Sequence, residues 1–181
     1  LIVSLKNQEG NDPVNGAAVR LAYRSPTASS GSWVFRTANA AQSLIISSGA
    51  TLGTSNNLKG RVYVYLLDNA GSLELAVSQK YFNGDSLVST TAMSAASDIV
   101  NTVYSTTART NVPIVNIGYF ESTQTVAGTW ASAPSKIHVG DVGPKFEREM
   151  TSNVASIGDV AVSPVISQTV TTKATVTNLA V

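Results

Sequence analysis

The stretch Arg61-Val-Tyr-Val-Tyr-Leu-Leu-Asp-Asn-Ala-Gly-Ser-Leu-Glu-Leu-Ala-Val-Ser-Gln79 decides the fold of this chain. Two runs rich in Val, Tyr and Leu flank Asp68-Asn-Ala-Gly71, where Asp and Asn tolerate turn geometry and Gly adopts a positive φ without steric cost. The pattern predicts a β-hairpin with strands at 61–67 and 73–79. Both alternating sets of residues on the first strand are largely apolar, so we expect a central strand covered on both faces. The second strand alternates apolar with small or charged residues, as half-buried strands do.

Similar short runs of β-forming residues, separated by Gly, Pro, Asn and Ser, recur on both sides of the hairpin. They predict further strands at Ala17–Arg24, Trp33–Arg36, Ser43–Ser47, Val112–Phe120 and Lys136–Val139. A short helix and a loop both fit residues 93–100, and residues 121–134 predict a long loop. Roughly eight to ten short strands at near-regular spacing predict an all-β fold, an antiparallel β-sandwich of jelly-roll-like type.

The composition changes after Gly143-Pro144. Residues 151–181 contain no aromatic residue, and Asp159 and Lys173 are their only charged residues. Val and Thr favour strands, but this segment has too little bulk for its own core, so we expect an extended β-rich appendage that packs onto other chains. The predicted organisation is an N-terminal strand or arm at 1–16, a β-sandwich domain at 17–144, and a linker with a C-terminal assembly segment at 145–181, whose expected contacts include Val170, Val176 and Leu179.

The bulk composition excludes several functions. Charged residues make up 13% of the 181 residues, against roughly 25% in average soluble domains, and the net charge is +1. Binding of nucleic acid through phosphate neutralisation is therefore not expected. The absence of cysteine excludes thiol catalysis, disulfides and zinc–thiolate sites. No apolar run reaches the roughly 18 residues of a membrane span. Because the chain begins without Met, we expect it to be part of a longer protein.

The titratable residues do not form a recognisable catalytic or metal-binding motif. His138 is the only histidine and cannot build a multi-histidine site. Glu147 and Glu149 could serve acid–base chemistry in a cleft, but they lie in a charged stretch that fits a solvated linker. The aspartates are scattered over loops without the spacing of a calcium loop. Nucleotide-binding glycine motifs and the nucleophile elbow are absent. We therefore expect a non-enzymatic protein without cofactor or metal.

Aromatic residues supply the candidate contacts with a ligand or partner. An exposed ring offers a flat apolar face for stacking against a sugar. Trp130 lies in the predicted loop 121–134, where surface and core positions are equally plausible, and Tyr119 is the penultimate residue of the predicted strand before it. Both are candidate glycan or interface contacts. Trp33, Tyr63 and Tyr65 lie on predicted strands and are expected in the core.

Several segments together resemble a module of tail-fibre and related structural proteins of tailed bacteriophages and prophages. These segments are Ser48–Gly53, Arg61–Tyr65, Asp68–Gly71, Leu75–Ser78, Leu87–Thr91, Tyr104–Arg109, Ile117–Tyr119, Ala127–Ala131, Lys136–Gly140 and Val142-Gly143. The resemblance covers about residues 17–144. It implies a non-enzymatic virion protein that is trimeric, contacts other phage virion proteins, and carries no catalytic residues.

The expected role is therefore a tail-fibre or collar module that serves assembly and attachment to the host surface, with a host-surface glycan as a candidate partner. Two alternatives stay open. One is a carbohydrate-binding module that uses Trp130 and a tyrosine as its platform. The other is a decoration or fibre protein of the phage head. A depolymerase is a more distant alternative.

Overall fold

The structure, a computed structural model, describes residues 1–25, 32–84 and 87–140, together with the short strands at 147–148 and 174–175. All regular secondary structure within these residues is β, which confirms the predicted class. The strands are β1 (Ile2–Ser4), β2 (Val19–Arg24), β3 (Trp33–Ala38), β4 (Ser43–Ile45), β5 (Lys59–Asn69), β6 (Ser72–Ser78), β7 (Leu87–Val88), β8 (Thr90–Ala92), β9 (Val103–Ser105), β10 (Val112–Thr123), β11 (Lys136–Val139), β12 (Glu147–Arg148) and β13 (Ala174–Thr175).

One seven-stranded sheet dominates the first of two units, Leu1–Asp141. Its strands lie in the order β11-β10-β5-β6-β9-β8, and β7 pairs with the beginning of β10. The β5 strand of the predicted hairpin is therefore a central strand, as expected, between β10 and β6. All pairs are antiparallel except β8 and β9, which run parallel, so the sheet is mixed rather than purely antiparallel.

The hairpin closes through a tighter turn than the sequence predicts. Asp68 and Asn69 still belong to β5, and the turn consists of Ala70 and Gly71 alone, with φ of 52° and 99°. Two consecutive positive φ values match the two-residue turn that fits the twist of antiparallel strands. The buried carboxylate of Asp68 accepts the Gly71 N–H at 2.7 Å and also binds the Nε of Arg36. This carboxylate links the turn to β3.

The inner face of the sheet packs against two ribbons, which gives the predicted sandwich. The ribbons are β1 paired with β4 and β2 paired with β3. The main core lies between these layers and includes Tyr23, Leu44, Val62, Leu66 and Val77, each no more than 1% exposed. The residues expected to form an N-terminal strand or arm thus begin with a strand of the inner layer.

A second, smaller core covers one end of the outer face of the sheet. It includes Tyr65, Leu67, Ala76, Val103 and Ile114. Because these residues bury the outer face of β6 as well, the predicted half-buried character of this strand is wrong: Ala76 is completely buried. Residues 93–100 form turns and not a helix, which resolves the alternative left open by the sequence.

A β-bulge in β10 decides which side chains reach the outer face. Val115 opposes Leu66 and Asn116 opposes Tyr65, but the register then skips Ile117, so that Gly118 opposes Val64. Such an extra residue moves every following side chain to the opposite face. The Asn116 side chain holds the bulge, since its amide donates to the carbonyls of Val64 and Gly118 and accepts the Gly118 N–H, all at 3.2 Å.

The second unit is Val142–Val181, in which β12 and β13 pair antiparallel. Val170, Val176 and Leu179, the expected assembly contacts, lie outside the described residues. The boundaries predicted at 16/17 and 144/145 stay predictions.

Replacement of Gly118 tests the bulge. Gly118 has a φ of 150°, and a Cβ atom there would lie 2.2 Å from the carbonyl oxygen of His138, so Gly118→Ala forces β10 and β11 apart. We expect a loss of about 3 kcal/mol or more in the free energy of unfolding, measured in urea. Gly71→Ala is the matched control, because its φ is also positive but a Cβ atom there meets open space. It should cost only about 1–2 kcal/mol. Equal losses of stability in Gly118→Ala and Gly71→Ala would contradict the prediction that the close approach of Gly118 to the His138 carbonyl requires glycine.

Candidate functional site

Two rows of side chains cross the outer face of the sheet next to the second core, which Tyr63 contacts. In the first row, Tyr119 of β10 lies between Tyr63 of β5 and His138 of β11. In the next row, Glu121 of β10 lies between Arg61 and Lys136. The bulge is what places Tyr119 and Glu121 on this face, since without the extra residue both would point into the main core. We call these six residues the outer patch.

The ring of Tyr119 is covered on both sides by its neighbours. His138 stacks on it with ring centres 5.0 Å apart and 16° between the planes. The guanidinium of Arg61 lies 4.4 Å from the ring centre. Because β5 and β11 flank β10 on opposite sides, these two groups occupy opposite faces of the ring. Tyr119, a candidate glycan contact from the sequence, therefore has no open ring face for a sugar, and it serves instead to hold Arg61 and His138 in place.

Glu121 is the only acidic side chain of the outer patch, and it is engaged by two cations. Its Oε1 accepts from Nε and Nη2 of Arg61 at 3.1 and 2.6 Å, and its Oε2 lies 2.5 Å from Nζ of Lys59. Hydrogen bonds from Lys59 and then from Arg61 lower the pKa of Glu121 from 4.5 to about 2. The same hydrogen bond to Glu121 raises the pKa of Arg61. The carboxylate is thus ionised at every physiological pH and is already paired.

A shallow depression of about 580 Å³ opens beside these charges. It is lined by Lys59, Gly60, Arg61, Tyr63, Gln79 and Glu121. Ammonium, guanidinium, amide and phenol groups together offer mainly hydrogen-bond donors. Lys136 adds a further positive charge, with Nζ 5.6 Å from the centre of the Tyr119 ring. With Lys59, the outer patch holds three cations and one carboxylate, so its net charge is positive.

Trp130, the other candidate contact, belongs to the main core. Its side chain contacts the ring of Phe120, residue exposure is 8%, and its Nε1 donates to the carbonyl oxygen of Ala50 at 2.8 Å. A ring in this position has no face for a sugar, so the core alternative holds for Trp130. Phe120 and Tyr119 point to opposite sides of β10, and the structure therefore does not bring the two candidate contacts together.

Trp33 shows the reverse error, because it was expected in the core and is 55% exposed. It lies two residues before Phe35, which is 78% exposed on the same face of β3. The residue opposite Trp33 in β2 is Arg24, and Arg20 lies further along the same face. We call this exposed aromatic face of the β2–β3 ribbon the ribbon face.

An apolar groove runs along the edge strand β11, and Tyr119 and His138 of the outer patch also contribute to its lining. It has a volume of about 880 Å³. Its apolar lining includes Leu1, Val3, Leu21, Ile117, Ile137 and Val139. Ile137 and Val139 are 69% and 83% exposed. Among the described strands, β11 pairs with β10 alone, so its other edge presents backbone groups beside this edge groove.

The remaining candidates from the sequence form no catalytic or metal-binding cluster in the part of the chain that the structure describes. Within that part, no three His, Asp or Glu side chains converge on a point where a metal ion could bind. His138 stacks on Tyr119, and Asp68 is bound to Arg36. The side chains of Glu147 and Glu149 lie outside the described residues.

Comparison of the chain with family models, with curated proteins and with solved structures gives no match. A search of the described residues for a helix long and apolar enough to cross a bilayer finds none. Function therefore has to be proposed from the three surfaces and the resemblance.

The ion pairs of Glu121 predict a stability that depends on acid pH. Because the folded-state pKa lies below the ordinary value of 4.5, the pairs stabilise the folded protein fully above that value, and the contribution disappears as the pH falls towards about 2. Thermal unfolding between pH 6 and pH 2 should show the midpoint falling in this window. Glu121→Gln should flatten that part of the profile. Glu9→Gln, which removes an exposed loop carboxylate, is the control and should leave it unchanged. An unchanged acid profile in Glu121→Gln would refute this assignment.

Proposed function

We propose that the chain is a non-enzymatic structural module of a bacteriophage particle, placed in the tail fibre or collar, where it assembles as a homotrimer with other virion proteins and takes part in host attachment. The resemblance of residues 17–144 to such modules is the support for placing the chain in a bacteriophage particle. The low charge supports it, because surfaces rich in Ser, Thr and Asn suit a permanent assembly.

The edge groove is the observation that carries the assembly. Exposed apolar side chains that cluster beside an open strand edge are typical of surfaces that contact another protein. Ile137 and Val139 are 69% and 83% exposed, and the backbone edge of β11 lies next to them. A second copy placed against β11 would bury both features together.

Lysine substitutions in β11 test this assembly. Light scattering of the unmodified chain should give the mass of a trimer. Replacing both Ile137 and Val139 by Lys should weaken association at least about tenfold, because each buried ammonium would lack a partner. Val126→Lys is the matched control, since Val126 is 54% exposed and does not line the edge groove. A monomeric unmodified chain, or a double variant that stays fully trimeric, would exclude the groove as the interface.

Deletion of residues 151–181 tests the expected assembly segment separately. We expect the trimer to weaken when this segment is removed, because its alternating small β-formers can add strands to neighbouring copies. A deletion that leaves the trimer intact would restrict assembly to residues 1–150. Immunoelectron microscopy of intact particles would distinguish a location in the tail from one in the head.

The ribbon face favours one alternative, a carbohydrate-binding module. The platform would be Trp33 with Phe35, and not Trp130. Trp33→Ala should then reduce binding to glycans on an array about tenfold, as expected for loss of a stacked indole. Leu58→Ala, another exposed apolar residue at 63%, should have no effect. Absence of any Trp33-dependent glycan binding would remove this alternative.

A further inference from the structure

The outer patch combines features that ordinary packing does not require. The second core covers the same sheet face near Tyr65 and Leu67 and contacts Tyr63, whose ring also meets that of Tyr81 with centres 5.4 Å apart, but neither described core cluster includes Arg61 or Tyr119. Burying the patch is therefore not the reason for its composition. Its rings and charges are nonetheless fixed by neighbours on three adjacent strands, so the surface is ordered before any ligand arrives.

The charges of the outer patch select an anion. One oxygen of Glu121 binds Lys59 and the other binds Arg61. Its single negative charge neutralises only one of their two positive charges. Side-chain exposures of 60% for Lys59 and 47% for Arg61 leave both cations accessible from solvent. Lys136 is exposed two strands away, on β11. Guanidinium and ammonium groups arranged in this way bind carboxylate, sulfate or phosphate groups.

The shape and the remaining groups select a small hydroxylated ligand. A depression of about 580 Å³ lies within the usual range for small-molecule sites, although it is shallow. Tyr63, Gln79 and the backbone at Gly60 line it beside the cations and suit hydroxyl groups. Binding driven by stacking alone is disfavoured, because both faces of the Tyr119 ring are occupied. Three cations are also too few for a track along a nucleic-acid backbone.

We propose that the depression binds an acidic saccharide, whose anionic group contacts Lys59 and Arg61 and whose hydroxyl groups contact Tyr63 and Gln79. This inference rests on the proposed role in host attachment and names the class of surface molecule that the module would contact. Tyr119 is a positioning residue in this site: it holds Arg61 through the ring face and does not stack on the sugar.

Calorimetry with a matched pair of trisaccharides tests the proposal. Trigalacturonate and its trimethyl ester share one carbohydrate skeleton and differ in charge. The full chain should bind trigalacturonate and not the ester, and the affinity should fall as the salt concentration rises. Arg61→Gln and Lys59→Gln should each weaken binding about tenfold, as loss of a charge-assisted hydrogen bond does. Lys59→Gln leaves the Arg61–Glu121 pair intact, so it remains informative if Arg61→Gln lowers stability.

Control variants and competing ligands make the outcome decisive. Arg20→Gln removes the same charge from the ribbon face, and Trp33→Ala removes the alternative platform; both should bind trigalacturonate as the unmodified chain does. Equal weakening by Arg20→Gln, equal binding of the ester, or equal binding of inorganic phosphate or oligothymidylate would overturn the proposal. The mass of the trimer and the location on the particle are measured without this ligand, so a failed saccharide site leaves the proposed function standing.

Discussion

The extra residue in β10 is the constraint on which the outer patch depends. Before the bulge, even-numbered residues of β10 face the second core, and after it odd-numbered residues occupy that side. Asn116 stabilises the irregular backbone through three hydrogen bonds, and the freed carbonyl of Ile117 accepts the N–H of Gly140 at 2.9 Å. The same bulge therefore directs Tyr119 outward and fastens the end of β11 to the sheet. Bulges commonly re-aim side chains next to functional sites.

Two of the described ion pairs connect separate elements of the fold. The carboxylate of Asp68, whose side chain is 1% exposed, binds Arg36 and the turn, so it connects the hairpin to the β2–β3 ribbon. Arg109 binds Glu74 through two nitrogens and connects the loop after β9 to β6. These two pairs have one cation for each carboxylate and make internal links. The outer patch differs because its cations outnumber its carboxylate, which is the physical reason for assigning it a ligand.

Much of the fold could be predicted from the sequence, because alternation and turn residues are local signals. The hairpin at 61–79, its central position and the all-β class follow from apolar residues on both faces of one strand. The face of Tyr119 could not be predicted, since a bulge changes the register without changing the composition. Asn116 and Gly118 are the only local signal, and both residues are also common in turns.

The aromatic residues show a second limit of local patterns. Trp33 lies in a predicted strand, so the sequence predicts a buried ring there. Trp130 lies in a predicted loop, where the sequence does not decide between a buried and an exposed ring. The structure exposes the ring in the strand because the ribbon has only one packed face. It buries the ring in the loop because the indole N–H reaches the carbonyl of Ala50, 80 residues away in the chain. Burial here depends on long-range layers that no window of sequence contains.

The strand β11 would connect the proposed assembly with the proposed recognition, because its alternate residues belong to different surfaces. Ile137 and Val139 face the edge groove, whereas Lys136 and His138 face the outer patch. A partner strand that pairs with the open edge of β11 would cover the groove side through its own apolar residues. It would extend the sheet sideways, so the outer patch would stay open and gain a neighbouring row from the partner. Assembly through this edge is therefore compatible with saccharide binding on the opposite face, and in a trimer it would present the acidic-saccharide site three times.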